Sequence, residues 1–176
     1  MHKDITFKTL IETINADMKR NPFFKTRLIV FFFRVANYIA CKNKITLILG
    51  SPIILAYMFI SEWILGVEIH PKTQIGKGLA LFHGVGVVVN GYCQIGDNCT
   101  LRQGVTLGNK MRADGCLSGT PVIGNNVEFG ANSIVIGDVE IGDNVKIGAG
   151  AVVVKDVPAN SIVVNAPVRI FSISKD

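Results

Sequence analysis

From residue 67 onward the chain is written in units of six. Aliphatic residues fall at Ile69, Ile75, Leu81 and Val87, then at Ile95, Leu101 and Leu107. They resume at Ile123, Val135, Ile141, Ile147 and Val153, with the aromatic Phe129 holding the remaining place. The next residue is often glycine, as in Ile75-Gly76, Ile95-Gly96 and Ile147-Gly148. The fifth of each unit is usually small or aliphatic, as in Thr73, Val85, Cys99, Val105, Ser133 and Ala151. An antiparallel sandwich alternates with period two and places no glycine at a constant offset. A period of six describes one short flat strand plus one corner, and three such units make a triangular coil of about 18 residues with the aliphatic side chain inside. Glycine and asparagine suit the corners because they accept left-handed backbone angles. The predicted architecture is a parallel β-helix, mainly β. Two extra residues lie between Val87 and Ile95, and ten beyond the expected step separate Leu107 from Ile123. The second break is an excursion over residues 108–122, and loops projecting from a rigid repeat are where binding groups tend to sit.

Residues 1–66 have another texture and read as an N-terminal α-helical segment ahead of the β-helical domain of residues 67–176. Asp4 or Thr6 caps a first helix that runs to about Arg20 and is closed by Asn21-Pro22. A second covers roughly Lys25 to Cys41, with Arg34 and Asn37 off its apolar face. A third is expected from about Pro52, well placed as a first helical residue, to Leu65, stopping at Gly66. The stretch of residues 45–66 has the length of a membrane span, but Gly50-Ser51-Pro52 interrupts it and Glu62 lies in its second half. The uninterrupted part, Ile53 to Leu65, is 13 residues long, which predicts a buried or interfacial helix rather than a spanning one.

At 176 residues the chain suits one domain with a small appendage, so one function is sought. Hydrophobic residues make up 49% of it and charged residues 18%, a balance that leaves apolar surface for a homo-oligomer to cover. Much of the net charge of +5 sits before residue 45, from Lys3 to Lys44. That arrangement suits an anionic ligand or peripheral membrane contact through the N-terminal helices, although packing of those helices on the β-helix is the plainer expectation. Dense Lys/Arg clusters with exposed aromatics are missing, which argues against nucleic acid. Cys41, Cys93, Cys99 and Cys116 show no CxxC pairing, and no secretory signal precedes them. They read as reduced thiols of a cytoplasmic protein, Cys93 and Cys99 being small apolar fillers.

His83 lies among aliphatics and glycines in LALFHGVGVVVN, and taken alone it is more readily structural than catalytic. Three stretches change that balance: VEIHPKTQIGKGLALFHGVGVVVN, IGDNCTLRQGVTLGN and VKIGAGAVVVKDVPANSIVVNAPVRI. They resemble the hexapeptide-repeat acyltransferases, left-handed β-helix enzymes that form trimers and transfer acetyl groups from acetyl-CoA. The resemblance covers nearly the whole chain and is strongest to the serine O-acetyltransferase branch. There a histidine in an LDH-type context is the general base and a carboxylate in a VDIHP-type context orients it. The matching residues are His83 and Glu68, fifteen positions earlier in VEIHP. The chemistry needs such a pair. A hydroxyl is a poor nucleophile at neutral pH, so an imidazole must take its proton, and a carboxylate on the other ring nitrogen holds the tautomer. His70, two residues after Glu68, is read as structural or site-lining. A three-histidine metal site, as in carbonic anhydrases built on this helix, would need His2, His70 and His83 together; their spacing does not supply it, so no metal is expected. The resemblance also implies acetyl-CoA in a groove between subunits, its arm against Ala131 and Ala149 and its phosphates near Lys155 and Arg169. Asn165 departs from the glycine often found there.

The acceptor positions point away from serine. Serine-using members carry Asp directly before the histidine and an Arg-His pair before a proline closing the excursion. Here Phe82 precedes His83, and Gly119 and Thr120 precede Pro121. A serine zwitterion would therefore lose at least two charge-assisted interactions. Phe82 offers an apolar face to a sugar ring, and Asn109, Ser118 and Thr120 offer groups to its hydroxyls. The chain is also similar to the colanic acid acetyltransferases of exopolysaccharide pathways. The expected function is O-acetylation of a sugar in a bacterial surface polysaccharide or its lipid-linked precursor, in the cytoplasm or at the inner face of the membrane. A serine O-acetyltransferase with an altered pocket and a non-enzymatic solenoid are the alternatives.

Overall fold

The computed structural model describes residues 6–166, so Asp4 lies outside the described residues. Fourteen short strands within them, numbered in chain order, stack in parallel as three faces. The first face holds β1 (Val67–Ile69), β4 (Val87–Val89), β7 (Thr106–Gly108), β10 (Ile134–Ile136) and β13 (Val152–Val153). The second holds β2 (Gln74–Ile75), β5 (Gln94–Ile95), β8 (Val122–Ile123) and β11 (Glu140–Ile141). The third holds β3 (Ala80–Phe82), β6 (Thr100–Arg102), β9 (Glu128–Phe129), β12 (Lys146–Ile147) and β14 (Ile162–Val163). Consecutive strands in sequence lie on different faces, and each pairs with the strand one coil away. The fold is the left-handed parallel β-helix that the six-residue period predicts.

Side chains pointing inward fill the triangular core without a gap in any column; Ile69, Val89, Leu107, Val135 and Val153 form the column behind the first face and are all buried. Between the second and third faces the corners are Asn98, Asn126, Asn144 and Asn160, with φ between 56 and 58. Their amides form a ladder, Asn126 Nδ2 donating to Asn144 Oδ1 at 3.1 Å and Asn144 Nδ2 to Asn160 Oδ1 at 2.9 Å. Coils approach closely at the glycines: a Cβ on Gly130 would collide with the backbone nitrogen of Ala149.

The register moves the first break in the period. Ile69 pairs with Val89, and Val89 pairs with Leu107, so Val89 rather than Val87 continues the column. The step from Leu81 to Val89 is eight residues and that from Val89 to Ile95 is six. The two extra residues therefore belong to the corner after β3, which contains His83, and not to the corner after β4. Val87 takes the buried fifth place that the sequence reading gives to Val85, and Val85 is exposed. Val87 and Val89 are both aliphatic, so periodicity alone had no means of choosing between them. The last coil is shortened to sixteen residues, Ile141 bridging to Val157 and Ile147 pairing with Val163.

Helix α1 (Phe7–Arg20) is capped by Thr6, whose hydroxyl accepts from Thr9 N at 3.1 Å. Helix α2 (Phe24–Lys42) buries Arg34 and Asn37 against the solenoid, contrary to their expected place off its packed face. The first coil has no coil below it, so its backbone groups lack ladder partners, and polar side chains supply them. Arg34 donates to the carbonyls of Ile75 and Gly76, both at 2.6 Å, and Asn37 to those of Pro71 at 2.7 Å and Thr73 at 3.1 Å. Asn21 bonds Leu79 O and Leu81 N, Arg20 donates to Gly78 O, and Tyr57 donates to Ile69 O. Asp17 accepts from Leu79 N at 2.8 Å and pairs with Arg34 Nε at 2.7 Å.

Helix α3 (Lys44–Met58) starts eight residues before Pro52 and carries straight through it into a π-helical turn at Phe59–Ile64. Asn43 caps it, accepting from Thr46 N at 2.8 Å. Pro52 lacks the N–H that would reach Ile48 O, and the Ser51 hydroxyl donates there instead at 2.8 Å. The expected break at residues 50–52 is absent. Lys44–Ile64 is 21 residues, long and apolar enough by length and composition to cross a membrane, and most of it is unburied.

Candidate active site

Each of the described non-glycine residues with left-handed backbone angles is a corner asparagine, except His83 at φ 67. Such conformations persist where surrounding structure holds them, and they cluster at functional positions. Here the enlarged corner supplies the hold. Gly86 N donates to Gly66 O at 2.7 Å, Gly104 N donates to Val85 O at 2.9 Å, and Gly84 lies against Val67 and Ile29. The imidazole projects from this corner into solvent and stacks on Phe23, ring centroids 5.7 Å apart.

His83 stands on the edge where the third face turns into the first, and the same edge carries Ala131, between β9 and β10, and Ala149, between β12 and β13. Backbone bonds tie its coils together: Asn132 N to Gln103 O at 2.9 Å and Gly150 N to Ala131 O at 2.8 Å. At about 4.8 Å per coil, Ala149 lies three coils, about 14 Å, from the His83 corner. Asn165 continues the edge, its Nδ2 reaching Ala149 O at 3.4 Å. Gln103, between His83 and Ala131, has a buried Oε1 with no hydrogen-bond partner among the described residues. Sequence reasoning missed it, although its place one coil of 20 residues after His83 was countable. The edge is a run of small residues and backbone groups with the His83 imidazole at one end.

The remaining expected residues lie elsewhere. Asn109, Thr120, Lys155 and His70 fall on the opposite edge of the first face, where it turns into the second. The excursion leaves from β7 and returns at β8 as a hairpin, pinned by Lys110 N to Ser118 Oγ at 2.9 Å and Ser118 N to Lys110 O at 2.8 Å. The Thr120 hydroxyl lies beside the Cys93 thiol, which donates to Leu107 O at 3.6 Å. Lys155 is exposed. Arg169 lies outside the described residues. Burial and then Lys72 push the His70 pKa down, against the pull of Glu68. Its Nδ1 accepts from Lys72 N at 3.1 Å, which leaves Nε2 to carry the proton of the neutral ring. Within one chain, the width of the first face separates these groups from His83.

Glu68 is the exposed middle residue of β1, and among the described residues no hydrogen bond or ion pair joins it to His83. Its charge acts on Glu62 and His70; the Glu62 pKa is raised by burial first and by Glu68 second. Phe82 is half-buried, and its ring is not an open face, because the Arg102 guanidinium lies 5.3 Å from its centroid. Arg102 is its register partner one coil on, and the sequence reading overlooked that cation beside the base.

A solenoid of six-residue units, with a histidine on an enlarged corner at the end of a small-residue edge, defines a hexapeptide transferase. Residues 120–155 match the bacterial transferase hexapeptide (six repeats) family. The chain is 39% identical over 144 residues to an Escherichia coli protein provisionally named colanic acid biosynthesis acetyltransferase WcaB, covering 80% of this chain and 87% of that one. The chain belongs to the hexapeptide-repeat acetyltransferases. It is also 47% identical over 111 residues to a Staphylococcus aureus serine acetyltransferase, 63% of this chain and 51% of that one. Among solved structures, Neisseria gonorrhoeae serine acetyltransferase superposes with a TM-score of 0.75 at 31% identity, over 96% of this chain and 67% of that one. Serine acetyltransferase isoform 3 of Entamoeba histolytica, solved with cysteine, gives 0.69 at 28% identity, over 96% of this chain. The chain spans 61% of that protein and about half of the Staphylococcus relative.

Proposed function

We propose that this acetyltransferase moves an acetyl group from acetyl-CoA to a sugar hydroxyl of a bacterial surface polysaccharide or its precursor, on the cytoplasmic side of the membrane. The observation that carries the reading is the shared edge of His83, Ala131 and Ala149. An extended pantetheine arm fits small side chains and backbone groups, and a thioester at its end meets the base. His83 takes the proton of the acceptor hydroxyl as that oxygen attacks the thioester carbonyl. The new C–O bond forms, the C–S bond breaks, and the imidazolium returns its proton to the departing CoA thiolate. Glu68 orients the ring once His83 leaves Phe23 and turns toward β1.

Lys155 and the excursion with Asn109 and Thr120 enter the groove from a neighbouring copy in a homotrimer. Support for that assembly comes from the polarity of the faces. Outward positions on the first face are Val88, Ile134, Ile136, Val152 and Val154 beside Glu68 and Thr106, whereas the other two present Gln74, Gln94, Arg102, Glu128, Glu140 and Lys146 beside Val122 and Ile162. The sugar acceptor is favoured by Phe82 in place of an acid before the base, by Gly119-Thr120 before Pro121, and by the name of the E. coli relative. The serine acetyltransferase relatives favour L-serine as the second reading. Release of CoA thiol is measured with acetyl-CoA and either a repeat-unit oligosaccharide or L-serine. We expect release with the sugar, reduced at least ~100-fold by His83→Ala while the fold is retained. Fast serine-dependent release would replace the sugar reading, and near-normal turnover by His83→Ala would remove the mechanism.

A further inference from the structure

We infer that the face formed by α2, α3 and the π-helical turn docks on the surface of an anionic lipid bilayer, with the helices lying in the membrane plane. Helix α2 is apolar on both sides. Ile29, Val30, Phe33, Ala36 and Ile39 are buried together with Thr26, Arg34 and Asn37, while Phe24, Phe31 and Phe32 are exposed. On the adjoining helix Leu49, Ile53 and Trp63 are exposed too, Trp63 to 81%. A surface of this size and polarity is not one that a soluble protein leaves to water.

Charge selects the occupant. Residues 24–64 contain five cations, Lys25, Arg27, Arg34, Lys42 and Lys44, and one acid, Glu62. Arg34 is neutralised by Asp17, and Glu62 lies beside Glu68 of the solenoid. Lys25 and Arg27 stand where α2 begins and Lys44 where α3 begins, so cations bracket the apolar face at both ends. Phosphate headgroups meet cations arranged in this way around an apolar strip, with Trp at the boundary.

The helices lie flat rather than cross. Lys44–Ile64 would reach about 31 Å, enough to span. However, α3 is bound to its neighbours: Tyr57 donates to Ile69 O at 2.8 Å, and Gly50 sits so close to Ile39 that a Cβ there would collide. Crossing would pull α2, with its Arg34–Asp17 pair and its solenoid caps, into hydrocarbon. An apolar cleft of about 270 Å³ between the helices is lined by Ile29, Phe32, Ile53, Ile60 and Leu65 and gives one lipid chain a place to enter. Phe23, at the N-terminal cap of α2, stacks on His83. The bilayer surface is thereby brought toward that residue.

The test uses the full-length protein sedimented with phosphatidylethanolamine/phosphatidylglycerol vesicles, against phosphatidylcholine vesicles, with size measured in the absence of lipid. We expect binding to the anionic vesicles and at least a tenfold lower partition for Leu49→Glu/Trp63→Glu, whose melting temperature and lipid-free size stay those of the parent. A parent that ignores anionic vesicles overturns the inference, as does a double variant that binds as well as the parent. A double variant with a changed lipid-free size would show that a second copy covers this face, and would also overturn it. Bound protein that resists extraction at alkaline pH would mean a spanning helix instead. No acetyl transfer is read, so the outcome is independent of the proposed reaction.

Discussion

At the scale of single residues, the corner positions separate structure from chemistry. Five asparagines with positive φ sit where coils turn, Asn98, Asn126, Asn144 and Asn160 on one edge and Asn132 on another, and the amide of such a residue stabilises the turn locally. His83 adopts the same backbone angle on a corner two residues longer than the rule, so its ring is pushed outward. The thiols divide by burial. Cys93 and Cys99 are fully buried, and burial pushes both up to about 11, whereas Cys116 is exposed in the excursion. In the native protein at pH 8 we expect iodoacetamide to label Cys116 and to leave Cys93 and Cys99 untouched until denaturant is added, read by mass spectrometry. Labelling of Cys93 at the rate of Cys116 would contradict its placement. The fold holds these two protons more tightly than the unfolded chain does. Their contribution is therefore fully present below pH 9 and is lost as pH rises from 9 toward about 11, which lowers the urea midpoint in that window.

At the scale of elements, the helices close the open end of a stack. A parallel solenoid leaves the backbone of its first coil unpaired, and terminal caps make it soluble. Here the cap is made of side chains, from Asp17, Arg20 and Asn21 around α1 to Arg34, Asn37 and Tyr57. Reading α2 by periodicity assigned its polar residues to water, because amphipathic logic assumes that the packed partner is apolar. Its partner is apolar where Ile29, Val30 and Phe33 meet the core and a row of carbonyls where Arg34 and Asn37 lie. Asp17→Asn keeps an acceptor for Leu79 N but leaves Arg34 as a buried charge without its counterion. The expected cost is about 3–5 kcal/mol, a fall of roughly 6–20 °C in melting temperature. A change under about 2 °C in calorimetry would mean that the carbonyls of Ile75 and Gly76 satisfy Arg34 unaided.

At the scale of the whole molecule, the first face carries two chemically different edges. One holds the base and the small residues, and the other holds the excursion, His70 and Lys155. In the proposed assembly two copies side by side join them, with the largely aliphatic first face as the contact. Acetyl-CoA at 100 times its Kd should stabilise the native state by about 2.7 kcal/mol, roughly 5–10 °C in melting temperature. Ala149→Leu places a larger side chain on the edge at an exposed position. It is expected to leave the unliganded melting temperature within about 2 °C of the parent and to abolish the shift. An undiminished shift in that variant would move the donor to another edge.

The six-residue period determined the coil, its core columns and the chemistry of its corners, because each unit states locally which side chain is inside and where the chain turns. The candidate base was legible from the resemblance of its stretch, with Glu68 in VEIHP, to a family motif; His70 also stands at a corner, and the period alone does not choose between the two histidines. Tertiary structure decided what local pattern leaves degenerate. Val87 and Val89 are equally aliphatic, so only strand register could assign the two extra residues to the His83 corner. Pro52 reads as a helix start until the Ser51 hydroxyl satisfies the freed Ile48 carbonyl. Arg102 meets Phe82, and Glu68 stands apart from His83, through stacking between coils. Periodicity reports inside and outside for each unit; which groups of different coils come together, and which end of the stack needs a cap, follow from how the units are piled.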